Sequence, residues 1–281
     1  MCGELIDGKK ISKEAIKEAA EEVARLKIKP CLAMLLAGND PASEVYVRNK
    51  ERACKSAGFE SKLFRFGENV SESEILRKIH ELNEDKSIDG FIVQLPLPKQ
   101  INQKEVIEAI SPLKDADGFT TTNLGNMFVG KKCILPATAR GVMFLLEKTI
   151  DDFKGKNVVI VGASNIVGKP LAFLLLNKLS TVTVCNIETK NLSEHTKRAD
   201  ILIVAAGKAN LISKEMAKPG AVVIDVGINL LPNGDFCGDV SADVLEVASK
   251  MTPVPGGVGP ITVAMLLKNT LDCIKLRELG E

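Results

Sequence analysis

The chain has no tryptophan and only one tyrosine among its 281 residues. It therefore lacks the aromatic platform on which single-stranded nucleic acid stacks. It has two histidines. His80 lies in a charged helical stretch and His195 follows Ser193 and Glu194, so both are expected at the surface. The seven cysteines (Cys2, Cys31, Cys54, Cys133, Cys185, Cys237, Cys273) contain no CxxC pair. With no third histidine and no cysteine pairing, His-dependent triads, zinc hydrolysis and a disulfide framework all fall away. Several of the cysteines sit inside apolar runs, as small core residues of a reducing compartment do. Excess charge is missing too. The net charge is +1 and basic residues form no block, which gives no pull toward nucleic acid or an anionic membrane. No apolar run is long enough to span a bilayer. The opening MCGELIDGKKISKEAIKEAAEEVARL is charged and amphipathic, without a signal-peptide core. A cytoplasmic location with no membrane partner is expected.

What the chain does have is 45% hydrophobic residues, enough for two packed domains of ordinary size. Its organising stretch is NVVIVGASNIVGKP, Asn157 to Pro170. Val158 to Val161 are branched and apolar on both faces of a strand, which marks burial in a parallel sheet. Gly162 breaks the strand, Ser164 and Asn165 supply a turn, and a helix opens at Gly168. Strand, glycine turn and helix start form the pyrophosphate-holding unit of dinucleotide-binding folds. The usual fingerprint is G-x-G-x-x-G, whereas this loop reads G-x-S-x-x-x-G. An ordinary strand-to-helix turn therefore stays open.

Before that stretch, the spacing predicts a helix over Ile11 to Leu26, a buried strand over Cys31 to Ala37, and a helix over Glu44 to Ala57 capped by Ser43 and stopped by Gly58. A strand over Glu60 to Phe66 follows, then a helix from Ser71 to Asn83 opened by a Ser71/Glu74 capping box. FIVQLPLP is a strand closed by prolines, and Lys104 to Ile110 is a short helix. The alternation of strands and helices indicates a parallel sheet. Residues 111–138 read as a connector of little periodicity, and Ala139 to Lys148 as a helix. Beyond Pro170, strands are expected at Thr181 to Cys185, Ile201 to Ala206 and Val222 to Val226, with helical turns at Leu192 to Ala199 and Ser213 to Lys218. The prolines and glycines from Pro253 to Pro260 exclude helix and central strand. A helix is expected from Thr262 to about Leu279.

Few side chains stand out chemically. Tyr46 and Lys50 share a helix face; a buried lysine there would carry protons, a solvated one would not. Gln94 interrupts an apolar strand near its carboxyl end, where ligands gather in open α/β sheets. Asp115 and Asp117 lie in an apolar-flanked turn, as turn formers or as acceptors for a ligand's N–H groups. Glu188 follows the second strand of the nucleotide unit, either as an exposed loop charge or as the acid that binds a ribose hydroxyl and repels a ribose phosphate.

Taken together, PASEVYVRNK, DGFIVQLPLP, PLKDADG, VGASNIVGKP, VIDVGIN and TPVPGGVGPIT resemble, in order and spacing, the bifunctional methylenetetrahydrofolate dehydrogenase/methenyltetrahydrofolate cyclohydrolase family. The resemblance runs from about Asp7 to about Leu271 and implies an α/β protein of two domains with a cleft between them. Residues 1–118, with a C-terminal helix over about 262–281, would form the folate-site domain, and 119–261 a Rossmann-like doubly wound parallel sheet. The implied reaction passes a hydride from methylene-tetrahydrofolate to NADP, then hydrates the methenyl cation to formyl-tetrahydrofolate. By similarity, Lys50 is the general acid/base, Tyr46 packs on the folate, Gln94 tunes Lys50 and Asp117 holds the pterin. Ser43, Asp115, Pro255, Gly256, Gly257 and Thr262 would contact the substrate. Gly162, Ala163, Ser164, Val167, Gly168, Glu188, Thr189 and Ile228 would contact the cofactor. A homodimer through the nucleotide domain is implied as well.

Three departures qualify the likeness. Pro136-Ala137-Thr138-Ala139 replaces the family's usual Pro-Cys-Thr-Pro. Ala163 stands where many members carry arginine. In Cys185-Asn186-Ile187-Glu188-Thr189, where members commonly carry His, Ser, Arg or Lys that favour NADP, Ile187 and Glu188 do not favour it, so NAD is the alternative cofactor, with Lys190 the nearest cation able to meet a phosphate. A monofunctional dehydrogenase, which would accumulate the methenyl product, and a non-catalytic nucleotide-binding module remain the other readings.

Overall fold

The computed structural model describes residues 3–279, apart from the side chain of Ala42. Cys2 lies outside the described residues. The chain divides into two compact units, residues 13–137 with 263–279 and residues 3–12 with 138–262. Residues 3–12 thus fold with the nucleotide sheet rather than with the sequence-predicted folate-site domain. Residues 119–137 do the reverse.

The unit that includes Lys50 has a three-stranded parallel sheet in the order Glu60–Phe66, Cys31–Ala37, Gly90–Val93. CLAMLLA is apolar at every position and takes the centre, where all seven residues are buried. Glu60–Phe66 carries three charges, Glu60, Lys62 and Arg65, and takes the edge. The helix Glu72–Glu84 begins with the expected capping box, and turns Ile75, Ile79 and Leu82 onto the sheet core with Leu35, Phe91 and Val93. The connector is not structureless. It contains the helix Thr121–Phe128, whose N-cap Thr120 accepts from the Asn123 N–H. Polar residues organise this segment, so hydrophobic periodicity could not reveal it.

The second unit has a six-stranded sheet in the order Glu4–Leu5, Lys250–Met251, Val222–Asp225, Ile201–Val204, Asn157–Val161, Thr181–Cys185, all parallel. The chain leaves Asn157–Val161 toward one side and returns on the other. The crevice of a doubly wound sheet opens at that reversal of strand order. The expected helix over Ser213 to Lys218 is a single 3-10 turn, Lys214–Met216. The last helix, Val258–Glu278, starts four residues ahead of Thr262. Gly259 and Pro260 fall in its first turn, where proline's missing N–H costs no helical bond. No described helix is long and apolar enough to cross a membrane.

Candidate active site

The predicted residues gather in two places, one within each unit. In the Lys50 unit, the helix Pro41–Ser56 starts just past the central strand. Its cap is Asp40, not Ser43: the Asp40 carboxylate accepts from Ser43 N at 2.8 Å and from Ser43 Oγ at 2.7 Å. A charged acceptor at a helix start gains from the dipole as well as from the hydrogen bond. Ser43 is buried beneath it.

Lys50 lies one turn beyond Tyr46 and is only 9% exposed, which removes the solvated-lysine alternative. Its Nζ donates to Gln94 Oε1 at 2.8 Å. Gln94 follows directly on Gly90–Val93, and its Nε2 donates to the Leu95 carbonyl at 2.7 Å. That second bond fixes the amide's orientation, with its oxygen toward the lysine. The next peptide bond, Leu95–Pro96, is cis. Burial pulls the Lys50 ammonium below the ordinary lysine range, and the negative charge of Asp117 pulls it partly back up. Burial pushes Asp117 up to about 6 against the opposing pull of Lys50. Burial also raises the Tyr46 hydroxyl. The result is an amine that gives up its proton more readily than an ordinary lysine, under the field of the Asp117 carboxylate.

Asp115 does not join this group as an open lining residue. It is fully buried. Its carboxylate accepts from Gly118 N at 2.9 Å, Thr120 N at 2.8 Å and Asn123 Nδ2 at 3.1 Å. It anchors the turn that presents Asp117.

In the nucleotide unit, the site is backbone. Gly162 has φ +116°, and a Cβ there would come within 2.1 Å of the Ala205 carbonyl oxygen. A Cβ on Gly168 would come within 1.9 Å of the Gly162 oxygen. Only glycine lets the loop fold this tightly onto the strand end and helix start. Ser164 Oγ accepts from Val167 N at 3.2 Å and Ser164 O from Lys169 N at 3.1 Å, which rounds the loop without a second glycine. Ala163 occupies the intervening position, and no side chain caps the helix Gly168–Asn177. This cradle fits a pyrophosphate.

Past the strand Thr181–Cys185, Thr189 Oγ1 accepts from Asn186 N at 2.8 Å and Asn186 Oδ1 from Glu188 N at 2.9 Å. The side chain of Glu188 is exposed, as is Lys190, and Ile187 is 97% exposed. Ile228 is part-exposed after the strand Val222–Asp225. The Pro255 loop has a cis Val254–Pro255 bond and Gly256 at φ +112°. Gly257 packs on Pro253 and Thr252, and Thr262 Oγ1 donates to the Val258 carbonyl. No cluster of three or more His, Cys, Asp or Glu able to hold a metal occurs among the described residues.

Sequence comparison gives this geometry a family. The tetrahydrofolate dehydrogenase/cyclohydrolase catalytic domain matches residues 6–117, and the NAD(P)-binding domain of the same family matches residues 136–278. The chain belongs to the tetrahydrofolate dehydrogenase/cyclohydrolase family. It is 51% identical over 276 residues to the bifunctional protein FolD of Cupriavidus necator, covering 97% of this chain and 98% of that one. The crystal structure of FolD from Campylobacter jejuni matches with a TM-score of 0.94 at 47% identity, over 97% of this chain and 99% of that one. The Trypanosoma brucei dehydrogenase-cyclohydrolase, crystallised with NADP and an inhibitor, matches with a TM-score of 0.94 at 37% identity over the full length of both.

Sequence reasoning missed two kinds of residue in this dehydrogenase/cyclohydrolase. Asn269, on the last helix, donates through Nδ2 to the Ala116 carbonyl at 2.7 Å and the Leu135 carbonyl at 2.9 Å, tying the residue before Asp117 to the segment ahead of the helix Ala137–Thr149. A polar residue inside an apolar helical run was the available signal. Asp225 and Asp239, both buried, tie the loops at the carboxyl end of the nucleotide sheet. The signal there was an acid with an apolar neighbour, in VIDVG and in GDV.

Proposed function

We propose that the chain oxidises 5,10-methylenetetrahydrofolate to 5,10-methenyltetrahydrofolate with NADP and hydrolyses the product to 10-formyltetrahydrofolate. The observation that carries this reading is the buried Lys50–Gln94 pair at the carboxyl end of a parallel sheet, in a member of this family. NADP, when bound, accepts the hydride. Gly162, Ala163, Ser164, Val167 and Gly168 are assigned to its pyrophosphate, with Glu188, Thr189 and Ile228 around the nucleoside portions.

The chain's own residues supply position and proton transfer. Loss of hydride needs no protein base, because the two folate nitrogens share the positive charge that develops; it needs alignment. Asp117 is ionised at neutral pH and accepts from pterin N–H groups in this reading, while Tyr46 packs against the folate and Ser43 lines the same side. Hydration needs a base. Lys50 takes a proton from the water that adds to the methenyl carbon, and returns it to the ring nitrogen as the C–N bond opens. Gln94, its amide fixed by Leu95, keeps the amine aimed. Pro255, Gly256, Gly257 and Thr262 are assigned to substrate by family resemblance.

The reading includes a cytoplasmic homodimer formed through the nucleotide unit. Exposed Leu176, Leu179 and Val184 on and beside the edge strand Thr181–Cys185 support the dimer, and a monomeric mass by light scattering would remove it. Glu188 narrows the preference for NADP over NAD. The function is tested by following formyl-tetrahydrofolate formation from methenyl-tetrahydrofolate, with and without Lys50→Ala. Unchanged hydration in that variant would overturn the assignment.

A further inference from the structure

Asp239 is fully buried, and no lysine or arginine bonds to it among the described hydrogen bonds. Its carboxylate is surrounded by backbone instead. Oδ2 accepts from Ala206 N at 2.6 Å and Gly207 N at 2.8 Å, and Oδ1 accepts from Lys208 N at 2.9 Å. Asn229 Nδ2 adds a fourth donor at 2.8 Å. Three consecutive N–H groups converging on one carboxylate form an anion nest that the protein fills with its own side chain. The neighbouring Asp225 holds Asp239 in turn. Its carboxylate accepts from Gly227 N at 3.0 Å, Asp239 N at 3.0 Å and Val240 N at 2.9 Å. Space is tight: a Cβ on Gly227 would fall 2.2 Å from the Asp239 carboxylate.

The loops so tied are 205–208, 226–229 and 238–240, at the carboxyl ends of Ile201–Val204 and Val222–Asp225 and on the segment that returns beside them. The first of them is the floor under Gly162, whose missing Cβ leaves room for the Ala205 oxygen. The second carries Ile228. Every one of these residues belongs to the nucleotide unit.

We infer that Asp239, seated by Asp225, is the positioning residue for the dinucleotide site: it holds the Ala205–Lys208 and Gly227–Asn229 loops in the shape that the glycine loop rests on. This rests on the dinucleotide role proposed above. Removing the charge leaves three convergent N–H groups in a buried site without an acceptor for each, so the loops open.

The test is Asp239→Asn in the full chain, read in three ways. Amide hydrogen exchange at Ala206, Gly207 and Lys208 accelerates, NADP binding by calorimetry weakens about tenfold or more, equal to about 1.4 kcal/mol, and hydration of methenyl-tetrahydrofolate continues because its proposed proton-transfer group, Lys50, lies in the other unit. Asn229→Ala, which removes one donor and no backbone contact, weakens NADP about threefold and remains the readable variant if Asp239→Asn does not fold. Unchanged exchange at 206–208 in Asp239→Asn, or NADP affinity within error of the parent in both variants, overturns the inference. A parent protein that fails to bind NADP in the same titration overturns the dinucleotide role instead, while the exchange result still judges the clamp.

Discussion

The two units solve opposite problems at the carboxyl ends of their parallel sheets. In the Lys50 unit, the candidate site is made of side chains: an amine, an amide and a carboxylate, each with its protonation or orientation set by burial and by its neighbours. In the nucleotide unit, the candidate site is made of backbone, and side chains are excluded from the closest approaches. Proton transfer needs groups whose pKa can be moved, whereas holding a pyrophosphate needs N–H groups with nothing in front of them.

The largest break in that contrast comes from Lys50→Ala. It removes the group proposed to move the proton, and the expected outcome is a hydration rate about a thousandfold lower. NADP affinity by calorimetry stays at the parent value. Loss of both would mean that the two functions are not separable by unit.

Gly168→Ala is the reciprocal change. It puts a Cβ 1.9 Å from a backbone oxygen, so the loop must shift at a cost of about 1–3 kcal/mol. NADP binding weakens by roughly ten- to a hundredfold, while hydration persists. Normal NADP binding in this variant would show that the loop is more pliant than its contacts indicate.

Asp117→Asn sharpens the comparison through pH. Lys50 must be neutral to accept a proton, so hydration rises with pH through the lysine's own titration. The Asp117 carboxylate holds the proton on Lys50, and its removal lowers the lysine pKa further. The rising limb of the rate profile therefore moves to lower pH, and the rate falls about tenfold through the weakened hold on substrate. A limb that moves to higher pH would contradict the role of the carboxylate.

The smallest effect belongs to Glu188→Ser. An exposed charge near a ribose phosphate is worth about 1 kcal/mol in water, so the NADP-to-NAD ratio of kcat/KM rises roughly fivefold. The difference between variant and parent shrinks with added salt, which screens Glu188 in the parent. No change in the ratio would detach cofactor choice from this segment.

What was legible in the sequence follows the same division. CLAMLLA and NVVIV announced buried central strands because both of their faces are apolar, and Ser71 with Glu74 announced a helix start. Lys50 was visible as a residue type, but not as a buried one, since its amine meets Gln94 across forty-four residues of chain. The helix Thr121–Phe128 and the start of Val258–Glu278 were hidden. The first is set by Thr120 and by the Asp115 hub, which no periodicity reveals. The second opens through a Gly-Pro pair that reads as a breaker until it falls in a first turn. Asp40 took the cap from Ser43 because both residues satisfy the capping preference, and only geometry ranks them. The Asp225–Asp239 clamp joins three loops far apart in sequence, and an isolated acid carries no mark of its partners.

The segment Asn186–Thr189 closes on itself through two local hydrogen bonds and leaves Ile187 in solvent. Replacing exposed side chains of this kind costs a fold no more than about 0.5 kcal/mol. On the cofactor assignment proposed above, NADP preference can therefore be rewritten by substitution at positions that no core residue packs against. Under that assignment the choice of nicotinamide partner is a property of the surface, separable from the stability of the sheet that carries it.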